Sequence, residues 1–204
     1  MSEFKQTSQY GQDEFVWRIL GEKEHGRFLD IGAGYAFRDS NSASLEEHGW
    51  DGMCVDSGKD GTIDIKEWQH RSAPLWIGGV DRMELPADLK EDYISIDVDE
   101  DSYLALEKLA QHYRFNRLTS YPGASVITIE HDEYRFGTDM RDKQRETLTC
   151  LGYELLCPSV YPSEQWKEIV WEDWWVWPSA VDRTLKEKVR GMRNVEEILA
   201  KLRG

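Results

Sequence analysis

At 204 residues the chain has the length of one ordinary domain, enough to bury roughly 70% of the surface its unfolded form exposes. Its 25 Lys and Arg stand against 39 Asp and Glu, a formal charge of −14. The acids are spread along the chain, and the one cationic cluster, from Arg183 to Arg203, is interleaved with Glu187, Glu196 and Glu197. Such a surface repels phosphate backbones and argues against a nucleic-acid partner.

No stretch approaches the roughly 18 uncharged residues of a membrane span, and the polar start over residues 1–12 lacks an apolar core. The expectation is a cytoplasmic protein that neither crosses nor binds membranes, of open oligomeric state. Three cysteines, Cys54, Cys150 and Cys157, sit among apolar residues without metal-like pairing, as reduced thiols packed as small hydrophobes.

Without repeats or Pro/Gly/Ser-rich linkers, residues 1–204 read as a single domain: an N-terminal helical cap over 1–27, a core sheet over 28–180 and a C-terminal helix over 181–204. Phe15, Val16, Ile19 and Leu20 recur at helical spacing, predicting an amphipathic helix over 13–20. Residues 27–31 then read as a strand, 42–48 as a short helix, 52–56 as a strand, 63–70 as a helix and 73–77 as the third strand. A fourth strand over 93–98 leads into a helix over 102–112, and 125–130 gives the fifth strand. A polar helix over 139–151 stops at Gly152, and the last strands are 153–157 and 169–177. This βαβ repetition predicts a doubly wound parallel sheet, with function outside the carboxyl ends of its strands.

Phe28-Leu29-Asp30-Ile31-Gly32-Ala33-Gly34 is a hydrophobic strand running into two glycines, where backbone amides can approach a ligand closely. A dinucleotide fingerprint would want a third glycine at position 37, which is Phe37. The next strand ends in Asp56, suited to accept both hydroxyls of a ribose lying across the switch point. Taken alone, Asp30 as a turn cap and Asp56 as a solvated end would be the plainer account; order and strand context favour a nucleoside bracketed between them.

On the fourth strand, period-two geometry would project Asp97 and Asp99 to one face. Adjacent carboxylates repel, so the pair invites a divalent cation or a shared proton. With Glu130 from the fifth strand they would offer three oxygen ligands to Mg²⁺, Mn²⁺ or Ca²⁺. The structural alternative has Asp99 capping the helix near Asp101 and Glu130 paired with an arginine such as Arg135. His131 is the candidate general base. Of nine tryptophans, Trp171, Trp174, Trp175 and Trp177 crowd the final segment; core packing explains most of them, while one or two indoles at the sheet's carboxyl edge would suit a glycan-accepting cleft.

Ser8-Gln9-Tyr10-Gly11-Gln12-Asp13, Leu29-Asp30-Ile31-Gly32-Ala33, Tyr93-Ile94-Ser95-Ile96-Asp97-Val98-Asp99 and Ile129-Glu130-His131, in this order, resemble the FkbM-like methyltransferases. Leu151-Gly152-Tyr153-Glu154-Leu155 and Glu172-Asp173-Trp174-Trp175-Val176 resemble that family's closing segments. The resemblance implies a Rossmann-like class I methyltransferase fold: α/β, a mostly parallel seven-stranded sheet with helices on both faces and an antiparallel C-terminal strand.

It further implies S-adenosylmethionine as cofactor and methyl transfer to oxygen on a sugar or natural product, so the partner is a small-molecule or glycan acceptor. Carried over, Asp30, Gly32, Ala33 and Gly34 surround the methionine moiety, Asp56 holds the ribose and Gln12 closes over the cofactor. Asp97 lies near the transferred methyl, with Asp99, Glu130 and His131 around the acceptor. Two departures stand out: the family's Glu-Pro after the second strand is Asp56-Ser57, and the glycine after the fourth-strand aspartates is Glu100. A metal-dependent hydrolase built on Asp97, Asp99 and Glu130 is the rival reading, and a non-catalytic cofactor-binding module a third.

Overall fold

Four of the five residues of β1, Arg27–Ile31, are buried. A strand hidden on both faces belongs at the centre of a sheet. The computed structural model, which describes residues 4–86, 89–115 and 123–204, has β1 there. β1 pairs in parallel with β2, Asp51–Asp56, and with β4, Glu91–Ile96. β3, Leu75–Ile77, extends one side, and β5, Ala124–Glu130, extends the other, again in parallel. The last two strands are antiparallel partners, with β7, Glu172–Val176, inserted between β5 and β6, Glu154–Val160. The order is β3-β2-β1-β4-β5-β7-β6, seven mostly parallel strands as expected, with β7 the antiparallel member.

Alternation along β1 sorts its side chains between two apolar layers. Phe28 joins Tyr93, Val126, Trp174 and Phe15 on one face, covered by α1, Gln12–Ile19, α2, Ala43–Glu47, and α8, Val195–Arg203. Leu29 and Ile31 join Ile94, Ile127 and Trp175 on the other, covered by α4, Ser102–Phe115, and α6, Thr138–Leu151. Trp174 and Trp175 are 0% and 1% exposed on opposite faces, each contributing apolar burial of about 1.5–3 kcal/mol or more. Packing accounts for these two indoles.

Several boundaries differ from the sequence reading. The expected helix over 63–70 shrinks to one turn, α3, Ile65–Trp68, started by Asp64, whose side chain accepts from the Lys66 N–H. Another turn, α5, Glu133–Phe136, was not foreseen. The C-terminal segment is two helices, α7, Arg183–Val189, and α8, because Gly191 turns the chain at φ 73° and Asn194 caps a fresh start. Cys54 and Cys157 are buried, whereas Cys150 is exposed near the end of α6. The part of the N-terminal cap before Phe4 lies outside the described residues. Among the described residues no helix is long and apolar enough to cross a membrane.

The most consequential difference is at β4. The strand ends at Ile96, although the Asp97 N–H still donates to the Ile31 carbonyl at 2.8 Å. Asp99 then takes φ 47° in the turn leading to α4. Two-residue alternation therefore does not apply beyond Ile96, and Asp97 and Asp99 do not share a strand face.

Candidate functional site

The turn after β1 is built by backbone contacts that only glycine allows. At Gly32, φ is 90°, and an added Cβ would lie 1.6 Å from the Asp97 carbonyl oxygen. The Gly32 and Ala33 N–H groups both donate to the Val55 carbonyl, at 2.8 and 3.1 Å. One oxygen of Asp56 accepts the Gly34 N–H at 3.0 Å and the other accepts the Gly58 N–H at 2.7 Å. These charge-assisted bonds fix the carboxylate at the end of β2 while leaving lone pairs free.

Gly32, Ala33, Gly34, Asp56 and Asp97 line one cleft of about 340 Å³, at the low end of the roughly 300–1,000 Å³ usual for small-molecule sites. It lies outside the carboxyl ends of β1, β2 and β4, at the switch point of the sheet. Asp39, Asp60, Asp99 and Asp101 also line it, with Lys59 the one lysine among the lining residues. The potential in this cleft favours a cation.

Asp30 is not in the cleft wall. It is 1% exposed on the face covered by α1 and α2, where the Ser42 hydroxyl donates to Oδ2 at 2.6 Å. Burial pushes its carboxyl up to about 6, against the Ser42 bond and the nearby Arg71 charge. Arg71 in turn donates to the Ser42 hydroxyl at 3.0 Å. Asp30 thus stands one layer behind the glycine turn.

A second cavity of about 130 Å³ adjoins the first, and Gln9 and Asp97 line both. The Ser8-to-Asp13 segment forms one of its walls. Asp13, fully buried, accepts the Thr7 N–H at 2.7 Å, the Ser8 N–H at 3.1 Å and the Ser8 hydroxyl at 2.5 Å, while the Gly11 N–H donates to that hydroxyl. This closed ring presents Gln9, Tyr10 and Gln12 to the cavity. Tyr10 stacks on Trp171 at 4.1 Å between ring centroids, so one indole of the final segment does line a cleft.

Asp97, Glu130, Asp132 and Glu172 are the charged groups of this cavity. Loss of water and the neighbouring Asp97 push the Glu130 carboxyl up to about 11, and burial pushes Glu172 up to about 8. Asp97 is raised by its protein surroundings and by Asp132 and Asp99, while its hydrogen bond with Glu130 opposes the rise. Because Asp97 is exposed within the cleft, solvent moderates that shift. The same hydrogen bond adds to the rise of Glu130.

Carboxylate oxygens of Asp99, Glu130 and Asp132 lie within 4.8 Å of one another, a different trio from the expected Asp97, Asp99 and Glu130. Arg135 pairs with Asp99 and with Asp132 Oδ2, the latter at 2.9 Å. A guanidinium thus already bridges two of the three, and this donor set does not fit a free divalent-cation site. Arg135 also takes Asp99 rather than Glu130 as its partner.

His131 is fully buried and lines neither cavity. Its Nε2 lies 3.6 Å from Asp173, and its Nδ1 faces the Glu133 N–H at 3.3 Å. Asp173 is held by Arg145 at 2.7 and 2.8 Å. Burial alone would raise the Asp173 carboxyl, but Arg145 and His131 hold it down to about 2. The sequence reading had missed Asp132 and Glu172. Glu172 is brought in by the β5–β7 register, which sets it opposite Glu130.

The sequence matches no family model and no curated protein. Among solved structures, the chain is similar to a S-adenosylmethionine-dependent methyltransferase from Clostridium acetobutylicum, with TM-score 0.51 and 11% identity over 82% of this chain and 92% of that one. It is also similar to the bifunctional kinase-methyltransferase WbdD, with TM-score 0.50 and 16% identity over 81% of this chain and 37% of that one. The chain therefore spans little more than a third of WbdD. With its seven mostly parallel strands and antiparallel β7, the chain has the Rossmann-like class I methyltransferase fold.

Proposed function

We propose that the chain is a S-adenosylmethionine-dependent methyltransferase that modifies a hydroxyl of a sugar or natural product. The acceptor class follows the FkbM-like motifs of the sequence. The observation that carries the reading is the pair of adjoining cavities sharing Asp97, one walled by the glycine turn and Asp56, the other by carboxylates and aromatic rings. A sulfonium cofactor supplies an activated methyl and a neutral leaving group. Its positive charge suits the acidic lining of the larger cleft.

The chain's own work is positioning and proton transfer. Gly32, Ala33 and Gly34 let the cofactor approach the backbone, and Asp56, aligned by two amides, accepts ribose hydroxyls. Gln12, which lines the second cavity and not the larger cleft, closes the acceptor side in place of the cofactor role expected of it. Asp97, at the junction, accepts the hydrogen of the incoming hydroxyl, and the proton it shares with Glu130 leaves the pair one negative charge for that purpose. Asp30 acts through the turn it supports. The base is therefore the carboxylate pair rather than His131.

A hydrolase on Asp97, Asp99 and Glu130 is disfavoured by the Arg135 bridge. Reduced thiols at Cys54, Cys150 and Cys157 suit a cytoplasmic setting. Crystals soaked with S-adenosylhomocysteine test the reading. The nucleoside is expected in the larger cleft with its ribose against Asp56, and binding elsewhere contradicts it.

A further inference from the structure

We propose that the methyl acceptor is an organic cation, whose ammonium or guanidinium group occupies the second cavity against Glu172, Glu130 and Asp132. The inference rests on the methyl-transfer reading above and names the acceptor's chemistry.

Glu130 and Glu172 are register partners across β5 and β7, so both side chains leave the same face of the sheet. Crowded together out of water, both carboxyls keep their protons near neutral pH, and a bound cation would let them ionise. Asp97 and Asp132 add two more carboxyls, and neither Lys nor Arg lines the cavity. Glu172 and Asp132 are only 5% and 1% exposed; among the described residues Glu172 Oε1 and Asp132 Oδ1 make no hydrogen bond of ordinary geometry, although Trp174 and Gln12 stand near Glu172 and Glu130 near Asp132. A buried acceptor left unsatisfied costs about 1–3 kcal/mol, and more when charged. Arg135 does not meet this need, because it reaches the other oxygen of Asp132 and is 46% exposed outside the cavity.

A neutral hydroxyl would bring one donor and no charge. An ammonium brings three donors and a guanidinium five, with a positive charge that would favour the ionised form of the carboxyls lining the cavity. The rings fit the same ligand: Tyr10 and Trp171, stacked at 4.1 Å, and Tyr134 offer π faces that attract cations. Trp171 Nε1, also buried without a partner, is free to donate to an oxygen beside the charged nitrogen. The volume of about 130 Å³ corresponds to roughly four water-sized groups. That fits a charged end group, with the rest of the acceptor reaching Asp97 and the larger cleft.

The test is calorimetric titration of the full chain with guanidinium and ethylammonium chlorides, with their neutral counterparts urea and ethanol, and with magnesium chloride. S-adenosylhomocysteine is titrated into the same samples. Saturable binding of the organic cations alone is expected, weakened at least tenfold in Glu172→Gln and in Asp132→Asn and unchanged in Glu164→Gln, an exposed acid elsewhere. Thermal melts identify a variant that fails to fold, and the other variant then decides. The proposal is overturned if the neutral compounds bind equally, if both folded variants keep full cation affinity, if magnesium alone binds, or if the wild type takes up the homocysteine nucleoside but no organic cation. Failure to bind that nucleoside would instead count against the methyltransferase reading.

Discussion

Gly32 and Asp97 meet backbone to backbone: a Cβ at position 32 would sit 1.6 Å from the Asp97 carbonyl oxygen. The turn that walls the larger cleft and a residue shared by both cavities are therefore held in register by one contact. Gly32→Ala forces the two loops apart and strains a φ of 90°. A cost of about 1–3 kcal/mol is expected, lowering Tm by about 2–4 °C per kcal/mol. Binding of S-adenosylmethionine should be lost with it. A variant with native melting temperature and affinity would contradict this role.

Asp56 joins the turns after β1 and β2 through the Gly34 and Gly58 amides. Hydrogen bonds to charged groups contribute about 1.5–3 kcal/mol each. Asp56→Ala removes both anchors and the proposed ribose acceptor, so affinity for the cofactor should fall by about tenfold or more. Equilibrium dialysis with labelled cofactor measures it.

The raised carboxyl of Glu172 makes stability fall with pH. In the unfolded chain this group ionises near the usual glutamate value, whereas in the folded chain it keeps its proton until about 8. The folded form holds the extra proton between those values, so its contribution is complete at acid pH and is lost as pH rises through about 8. Thermal melts from pH 5 to 9 should show Tm falling with pH, and Glu172→Gln should flatten that slope. A slope identical in wild type and variant would rule out this residue as its source.

The His131–Asp173–Arg145 cluster behaves oppositely. Asp173, held down to about 2, contributes stability above the ordinary aspartate range that fades as pH falls towards 2. Asp173→Asn leaves Arg145 and His131 without their buried partner and should cost about 3–5 kcal/mol, read from denaturant midpoints. His131→Gln should lower stability while methyl transfer persists. Complete loss of transfer in a folded, cofactor-binding His131→Gln would restore His131 as the base.

Much of the fold was legible because its signals are local. The strand at 27–31 ends at the predicted residue, since an apolar run meets Gly32, and the helix before Gly152 stops where a left-handed glycine, φ 97°, is needed. Of the cleft wall, the glycine turn was legible where a positive φ demands the residue type, at Gly32 and Gly34. The site was not legible where pairing decides. Glu172 meets Glu130 only through an antiparallel insertion between β5 and β6, and Asp99 leaves its expected face through one positive φ. His131 follows Glu130 in sequence but is turned the other way, towards Asp173.

The most direct test of the account is calorimetric titration of the purified chain with S-adenosylmethionine. One-site binding in the micromolar range, abolished in Gly32→Ala and weakened in Asp56→Ala, is the expected result. Absence of saturable heat at millimolar cofactor from folded protein would contradict the central claim.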